Sequence, residues 1–392
     1  MSTPGTLKPG WRTVKFGDVV RQVKDKVDPE VAGIERYVAG QHMNTDDLRI
    51  RRWGAVGDGY LGPAFTMRFM PGQVLYGSRR TYLRKVAVAD FEGICANTTF
   101  VIESVSDELL PEFLPYVMTA ESFHEHSIKQ SKGSVNPYIN FTDLKWYEFA
   151  LPPLDEQLRV VELLDAAMAD NARKRKSSGA FSMALVAMLA EIDQRSFELL
   201  TLEALCRHPI TYGIVQAGPD VSDGIPYIRV SDMTAYETLR CDKLPRTSPE
   251  VAAKYERSAC DEGDLVFALR GPIGLTREVP PELAGVNLTQ GTARLSPDTT
   301  LVTSAYLGWA LQFPSVAKQF RRSKKGSTFQ EVSLGSLRRI TAPVPPLEVQ
   351  SELLKRLRKI DDLRRICDDA AENSSALEAQ LRERCLDGRS DA

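Results

Sequence analysis

The chain carries one pattern twice, and that internal repeat constrains its fold more than any other feature. Residues Lys132–Gln157 align without a gap on Lys325–Gln350, at an offset of 193 (325 − 132 = 350 − 157 = 193). Identities fall at Lys132/Lys325, Gly133/Gly326, Ser134/Ser327, Leu144/Leu337, Pro152/Pro345, Pro153/Pro346, Leu154/Leu347 and Gln157/Gln350. Upstream, Pro71–Arg79 matches Glu262–Arg270 and Tyr37–Met43 matches Tyr227–Met233, at offsets of 191 and 190 (262 − 71, 227 − 37). Three blocks in one order with slowly drifting offsets imply two homologous units separated by small insertions. A chain of 392 residues also exceeds what one hydrophobic core usually serves.

Each unit opens with a mixed portion. Short β-branched and aromatic runs such as Gln73–Tyr76, Thr99–Ile102, Gly224–Val230 and Asp264–Leu269 are broken by Gly and Pro. A Pro-Pro-Leu stop follows, which cannot lie inside a helix and fits just before one. After the first stop, Asp155 and Glu156 supply the negative charge that a helix N-terminus favours. Apolar residues then recur in steps of three and four at Val160, Val161, Leu164 and Met168, and again at Phe181, Leu185, Leu189 and Ile192. After the second stop the expected stripe is Leu353, Leu357, Ile360, Leu363, Cys367, Ala370, Ser374, Leu377 and Leu381, close to a coiled-coil seam. A helix of roughly 40 residues reaches 60 Å, longer than a domain of this size needs. The expected fold is therefore α+β: two tandem mixed domains, each followed by a long helix, the helices packed antiparallel as a coiled-coil spacer with pseudo-twofold symmetry. The expected boundaries are 1–152 and 197–343 for the domains, and 153–196 and 344–392 for the helices. Whether Lys176–Gly179 breaks the first helix is left open by the sequence.

Composition excludes several function classes. With 50 basic and 52 acidic residues the net charge is −2, so the chain is no polycation, although one face can still be basic. No apolar run reaches the roughly 18 residues of a membrane span, and the N-terminus lacks a signal-peptide design, so a cytoplasmic location is expected. The six cysteines form no C-x-x-C pair and the four histidines complete no ligand set, so neither a disulfide framework nor a metal site is expected. Phosphate-loop, dinucleotide-binding and nucleophile-elbow motifs are absent. Asn136-Pro137-Tyr138 falls one proline short of the Asn-Pro-Pro-Tyr motif of amino-methyltransferases. No enzyme activity is expected of the chain.

What the recurring blocks do carry is donors suited to phosphates and base edges. In the first unit these are Arg79, Arg80, Lys132, Ser134 and Asn136; in the second, Arg270, Arg322, Lys324, Lys325, Ser327, Thr328 and Gln330. Lys and Arg supply the salt-dependent phosphate attraction, while Arg, Asn, Gln and Ser can read base edges in the major groove. The matching Tyr37 and Tyr227 blocks add His42, and Arg229, Ser231 and Asp232; His42 and Asp232 are each either a base reader or a turn residue.

Two variable units, each ending in a Lys-Gly-Ser block and a Pro-Pro-Leu-x-x-Gln helix start, resemble the specificity subunit of type I restriction–modification systems, along nearly the whole chain. The resemblance implies a non-catalytic reader of double-stranded DNA in phage defence, each domain binding one half of a bipartite, asymmetric site. It implies two modification subunits that carry S-adenosylmethionine, methylate adenine and dock on the helices, and a restriction subunit that brings ATP and Mg. No cofactor is implied in this chain. Half-sites one helical turn apart, roughly 34–36 Å, suit helices of that length. The alternative is a DNA-binding protein of similar architecture in another defence or regulatory system, without methyltransferase partners. A pure scaffold is the third reading.

Overall fold

Both Pro-Pro-Leu corners lead directly into helices: Leu154–Asp193 and Leu347–Leu386, of 40 residues each. The computed structural model describes residues 6–235, 239–323 and 331–389. The described residues divide into two units, one of those up to 175 together with those from 369 on and one of those between 176 and 368, so each unit contains a stretch of both long helices.

In the first unit, an antiparallel sheet has the strand order Val20–Val23, Thr99–Ser104, Val74–Gly77, Val86–Val88. A second sheet runs Gly54–Ala55, Arg36–Val38, Gly93–Ala96, Phe65–Phe69, with Arg36–Val38 parallel to Gly93–Ala96. The ribbon Arg12–Lys15/Glu148–Leu151 leads into the first proline corner. The second unit repeats this plan. Its antiparallel sheet is ordered Thr211–Tyr212, Thr292–Leu295, Leu265–Ala268, Thr276–Glu278. Its other sheet has Ile225–Ile228 parallel to Asn287–Leu288, and its ribbon is Glu198–Thr201/Thr341–Val344. Leu265–Ala268 is buried at every position, as an inner strand with both faces covered must be. The runs chosen from the sequence, Gln73–Tyr76, Thr99–Ile102, Gly224–Val230 and Asp264–Leu269, each overlap one of these strands.

The long helices are continuous with the cores. In the first unit Val160, Val161 and Leu164 pack into the main cluster with Phe16, Tyr76 and Phe123, and Leu381 and Cys385 lie against it. In the second, Met188, Leu189 and Ile192 join Leu353, Leu354 and Leu357 around Phe267 and Tyr306. Gly179 is helical, so Lys176–Gly179 does not interrupt the first helix; one interior glycine costs about 1 kcal/mol relative to alanine, less than the packing on either side supplies.

The helix stretches pair antiparallel within each unit. In the first, Asn171 Nδ2 donates to Glu378 Oε2 at 2.7 Å, Arg175 Nη2 to Ser375 Oγ at 3.0 Å and Ser374 Oγ to Asp170 Oδ2 at 3.2 Å. In the second, Ser178 Oγ donates to Asp368 Oδ1. Two positions of the stripe expected on the second helix are corrected. Leu363 and Leu377 are exposed, and beside Leu377 it is Glu378 that bonds across to the other helix. The covered positions advance by heptads in three series (Leu353, Ile360, Cys367, Ser374, Leu381; Leu354, Asp361, Asp368, Ser375, Arg382; Leu357, Arg364, Ala371, Glu378, Cys385), and several of the middle ones are polar. The other seven positions of the expected stripe are buried or half-buried, so the period held and failed only at these two leucines.

The first unit also joins the two ends of the described chain. Lys8 N donates to Gly388 O at 2.8 Å and Lys8 Nζ to Asp387 O at 2.6 Å. A side chain at Gly388 would collide with Ala150 Cβ at 2.2 Å, so this approach requires glycine. All six cysteines are free thiols. Among the described residues no helix is long and apolar enough to cross a membrane, and no group of three or more His, Cys, Asp or Glu could hold a metal ion.

Candidate nucleic-acid interface

The repeat-matched blocks meet in the folded units. In the first, strand Val74–Gly77 delivers Arg79 to Tyr138, and Lys132 pairs with Tyr138 through Lys132 N→Tyr138 O (2.8 Å) and Tyr138 N→Lys132 O (2.9 Å). Arg80 N donates to Pro137 O at 2.6 Å, and Thr81 Oγ1 lies 2.8 Å from Ser131 Oγ. Arg79, Arg80, Lys132, Ser134 and Asn136 thus share one exposed surface. Gly133 adopts φ +89°, the left-handed turn that sets off the loop to Asn136. Arg80 and Arg84 hold φ of 51° and 50° without being glycine, so the short turn Thr81–Leu83 between them is strained at both ends.

The second unit makes the equivalent bridge, Arg270 with Glu331, and Arg270 Nε donates to Glu331 Oε2 at 2.7 Å. Arg322 is exposed near the end of helix Pro314–Ser323. Lys324, Lys325, Ser327, Thr328 and Gln330 lie outside the described residues.

Several candidates already have partners. Lys132 Nζ pairs with Asp143 Oδ2 at 2.9 Å, an exposed contact worth little in water. Asp232 is buried; its carboxylate accepts from Arg229 N at 2.8 Å, Nε at 3.1 Å and Nη2 at 2.8 Å. Asp232 is therefore the turn residue of its block, with its acceptor sites taken up by Arg229, whereas Ser231 stands exposed. His42 closes its own turn, with Nδ1 accepting from Ala39 N at 3.1 Å. Burial, and to a smaller extent Arg52, hold its imidazole below the ordinary histidine range.

Arg52 and Lys85 are functional candidates that the sequence reading missed. Arg52 Nη2 donates to Gln41 O at 3.1 Å and Asn44 Oδ1 at 3.2 Å, while Lys85 Nζ donates to Gly40 O. Both converge on the turn that carries His42. Partial burial lowers the Lys85 ammonium, and the charges of Arg80 and Arg52 lower it further, so three cations crowd one patch. Beside it a cavity of about 590 Å³ is lined by Gln41, His42, Arg51, Arg52 and Trp53. Arg36 stacks over the half-exposed Trp53 ring at 4.8 Å. Crowded like charges are unfavourable in the free protein and are relieved by a polyanion; an exposed indole adds a surface on which bases or sugars can pack. The clue in the sequence was Arg49-Ile50-Arg51-Arg52-Trp53, which lies outside every repeated block.

A family model described as the type I restriction modification DNA specificity domain matches residues 10–177 and 217–368. The type I restriction enzyme EcoBI specificity subunit of Escherichia coli is 27% identical over 241 residues, 54% of this chain and 50% of that protein. The aligned part thus spans half of that relative's length. Two solved structures share the fold. One comes from work on complex assembly and conformational transition of the type I R-M system, with TM-score 0.62, 21% identity and coverage of 99% and 100% of the two chains. The other is the type I restriction–modification S subunit of M. genitalium, with TM-score 0.60, 14% identity and coverage of 100% and 99%.

Proposed function

The chain belongs to the type I restriction modification DNA specificity domain family, and from that premise we propose that it is the DNA-reading, non-catalytic subunit of a type I restriction–modification complex. Its recognition domains, at 1–152 and 197–343, each read one half of a bipartite, asymmetric site. The helices at 153–196 and 344–392 set the gap and dock two methyltransferase subunits. Those partners bring S-adenosylmethionine and methylate adenine, and a restriction subunit brings ATP and Mg; the assembly works in the cytoplasm.

The observation that carries this reading is the twice-made bridge, Arg79 with Tyr138 and Arg270 with Glu331, on domains of one topology but different exposed side chains. A shared frame with unlike surfaces is what two different half-sites require. Docking on the helices is supported by the apolar side chains they leave uncovered: Leu158, Leu163 and Leu377 in the first unit, Met183, Val186 and Ile366 in the second. Met183 and Val186, three residues apart, share one helix face and are the candidates for such a contact.

Co-expression with a methyltransferase subunit, followed by methylome sequencing, tests the proposal. The expected result is adenine methylation at a split motif with a fixed gap, and exchange of residues 197–343 changes one half only. Methylation of a single contiguous motif refutes it. Failure to co-purify with any methyltransferase subunit favours a defence or regulatory protein of another kind.

A further inference from the structure

The Pro-Pro-Leu-x-x-Gln corner is built around its glutamine. Gln157 is fully buried in the first turn of its helix. Its Nε2 donates to Glu108 O at 2.7 Å and Pro152 O at 2.8 Å, and its Oε1 accepts from Leu110 N at 2.9 Å. Gln350, equally buried, donates to Leu301 O at 2.8 Å and Pro345 O at 2.9 Å, and accepts from Thr303 N at 3.0 Å. Each partner in the second unit lies 193 residues beyond its counterpart (301 − 108, 303 − 110, 345 − 152). The partners differ in side chain, as Glu108 with Leu301 and Leu110 with Thr303 show, because all these bonds go to backbone.

One carboxamide therefore joins three elements: the end of the ribbon strand, the loop before a domain helix (Leu114–Thr119 or Ser304–Ala310), and the first turn of the long helix. The chemistry admits few substitutes. Glutamate lacks the two N–H donors, leucine lacks every polar atom, and asparagine is one methylene shorter. Tilting the helix away from its domain would orphan two carbonyls and one N–H in a dry site, so the joint resists bending far more than a hydrophobic contact of equal size.

Resting on the function proposed above, we propose that Gln157 and Gln350 are positioning residues: each fixes the direction in which a long helix leaves its own recognition domain, and together they determine which gap between half-sites the complex accepts. A gap longer by one base pair moves a half-site by about 3.4 Å and turns it by roughly 34–36° about the duplex, a change that a loosened joint can follow and a locked one cannot.

The test uses the full chain assembled with its methyltransferase subunit, with methylation rates measured on duplexes that keep both half-sites and carry the wild-type gap or one base pair more or less. The wild type should lose at least about tenfold in rate on the altered gaps, equivalent to 1.4 kcal/mol of discrimination. In Q157L and Q350L the loss should shrink to within about threefold, while single-base changes inside the half-sites should cost as much as before. Hydrogen exchange should also quicken at the Leu110 amide in Q157L and at the Thr303 amide in Q350L. If the leucine variants do not assemble, Q157N and Q350N, shorter but still carboxamides, provide the same comparison. A folded variant with undiminished gap discrimination overturns the lock. A wild-type complex that methylates one contiguous motif instead overturns the functional reading beneath it.

Discussion

Replacing Asp264 by alanine tests what holds the second recognition domain in shape. The carboxylate is fully buried just before strand Leu265–Ala268. It accepts from Arg294 Nε at 2.6 Å, Ser296 Oγ at 2.5 Å, Arg207 Nη2 at 3.1 Å and Asp261 N at 2.9 Å. Arg294 is itself buried, and its other carboxylate, Asp261 at 2.7 Å, is 61% exposed and therefore screened. Alanine leaves that guanidinium inside the domain with its better partner gone. Removing one member of a buried ion pair costs about 3–5 kcal/mol. At 2–4 °C per kcal/mol for a unit of this size, the melting midpoint should fall by roughly 6–20 °C. Differential scanning calorimetry measures the fall, and hydrogen exchange at Val266 and Phe267 assigns it to this unit. In D264A/R294L most of the loss should return, because the cost lies in the stranded charge more than in the absent bond. A D264A midpoint within about 2 °C of wild type refutes the reasoning. So does a double variant less stable than the single one. Because the strand runs on to Arg270, D264A should also weaken recognition of one half-site and leave the other intact.

Three further outcomes are expected. His124 is buried, with neither ring nitrogen hydrogen-bonded to a described residue; burial, with Arg84 and Arg382 adding to it, pushes its pKa down to about 3. The unfolded chain takes up that proton near pH 6.5, so stability is full above that value and declines as pH falls towards 3, by about 2 kcal/mol at pH 5; urea titrations at pH 7 and pH 5 should show the loss, and His124→Phe should flatten it. Arg52→Glu and Lys85→Glu should weaken DNA binding by the complex across sequences and lower the slope of log K against log salt by about 1 each, whereas Asn136→Ala should shift preference at one base pair by about 1–3 kcal/mol, both read by fluorescence anisotropy at several salt concentrations. Leu357→Asp buries a charge beside Phe267 and should unfold the second unit in circular dichroism, while Leu377→Asp, at a 64% exposed position, should leave melting within about 0.5 kcal/mol of wild type and reduce co-purification with a methyltransferase subunit.

The two misplaced leucines show where pattern reading stopped. The spacing of Leu353 and Leu357 identified core positions because both pack on a globular domain, where burial and apolarity coincide. Further along, Asp368, Ser374, Ser375 and Glu378 bond across to the other helix, while Leu363 and Leu377 face outward. Where polar side chains bond across the seam, periodicity alone cannot say which leucines stay outside it. The interface followed the same course. Arg79 and Lys132 were legible because the repeat marked them, whereas Arg52 and Lys85 come together only through the turn at Gly40–Asn44. The spacing of Arg229 and Asp232, three residues apart at a helix start, did allow them to satisfy each other, and the structure shows that they do.

What the sequence determined by itself was the duplicated plan: two mixed domains, two proline corners and two helix starts. These follow from local rules, such as proline's missing N–H and the period of apolar residues, which act within a few neighbours along the chain. Tertiary structure alone decided which donors face outward, which carboxylates are taken up by arginines, and which side of each long helix is covered. The widest of those outcomes, such as Arg294 reaching Asp264 and Asn171 reaching Glu378, join groups tens to hundreds of residues apart, and the energies that sort them, desolvation and charge pairing, have no value until the chain has closed.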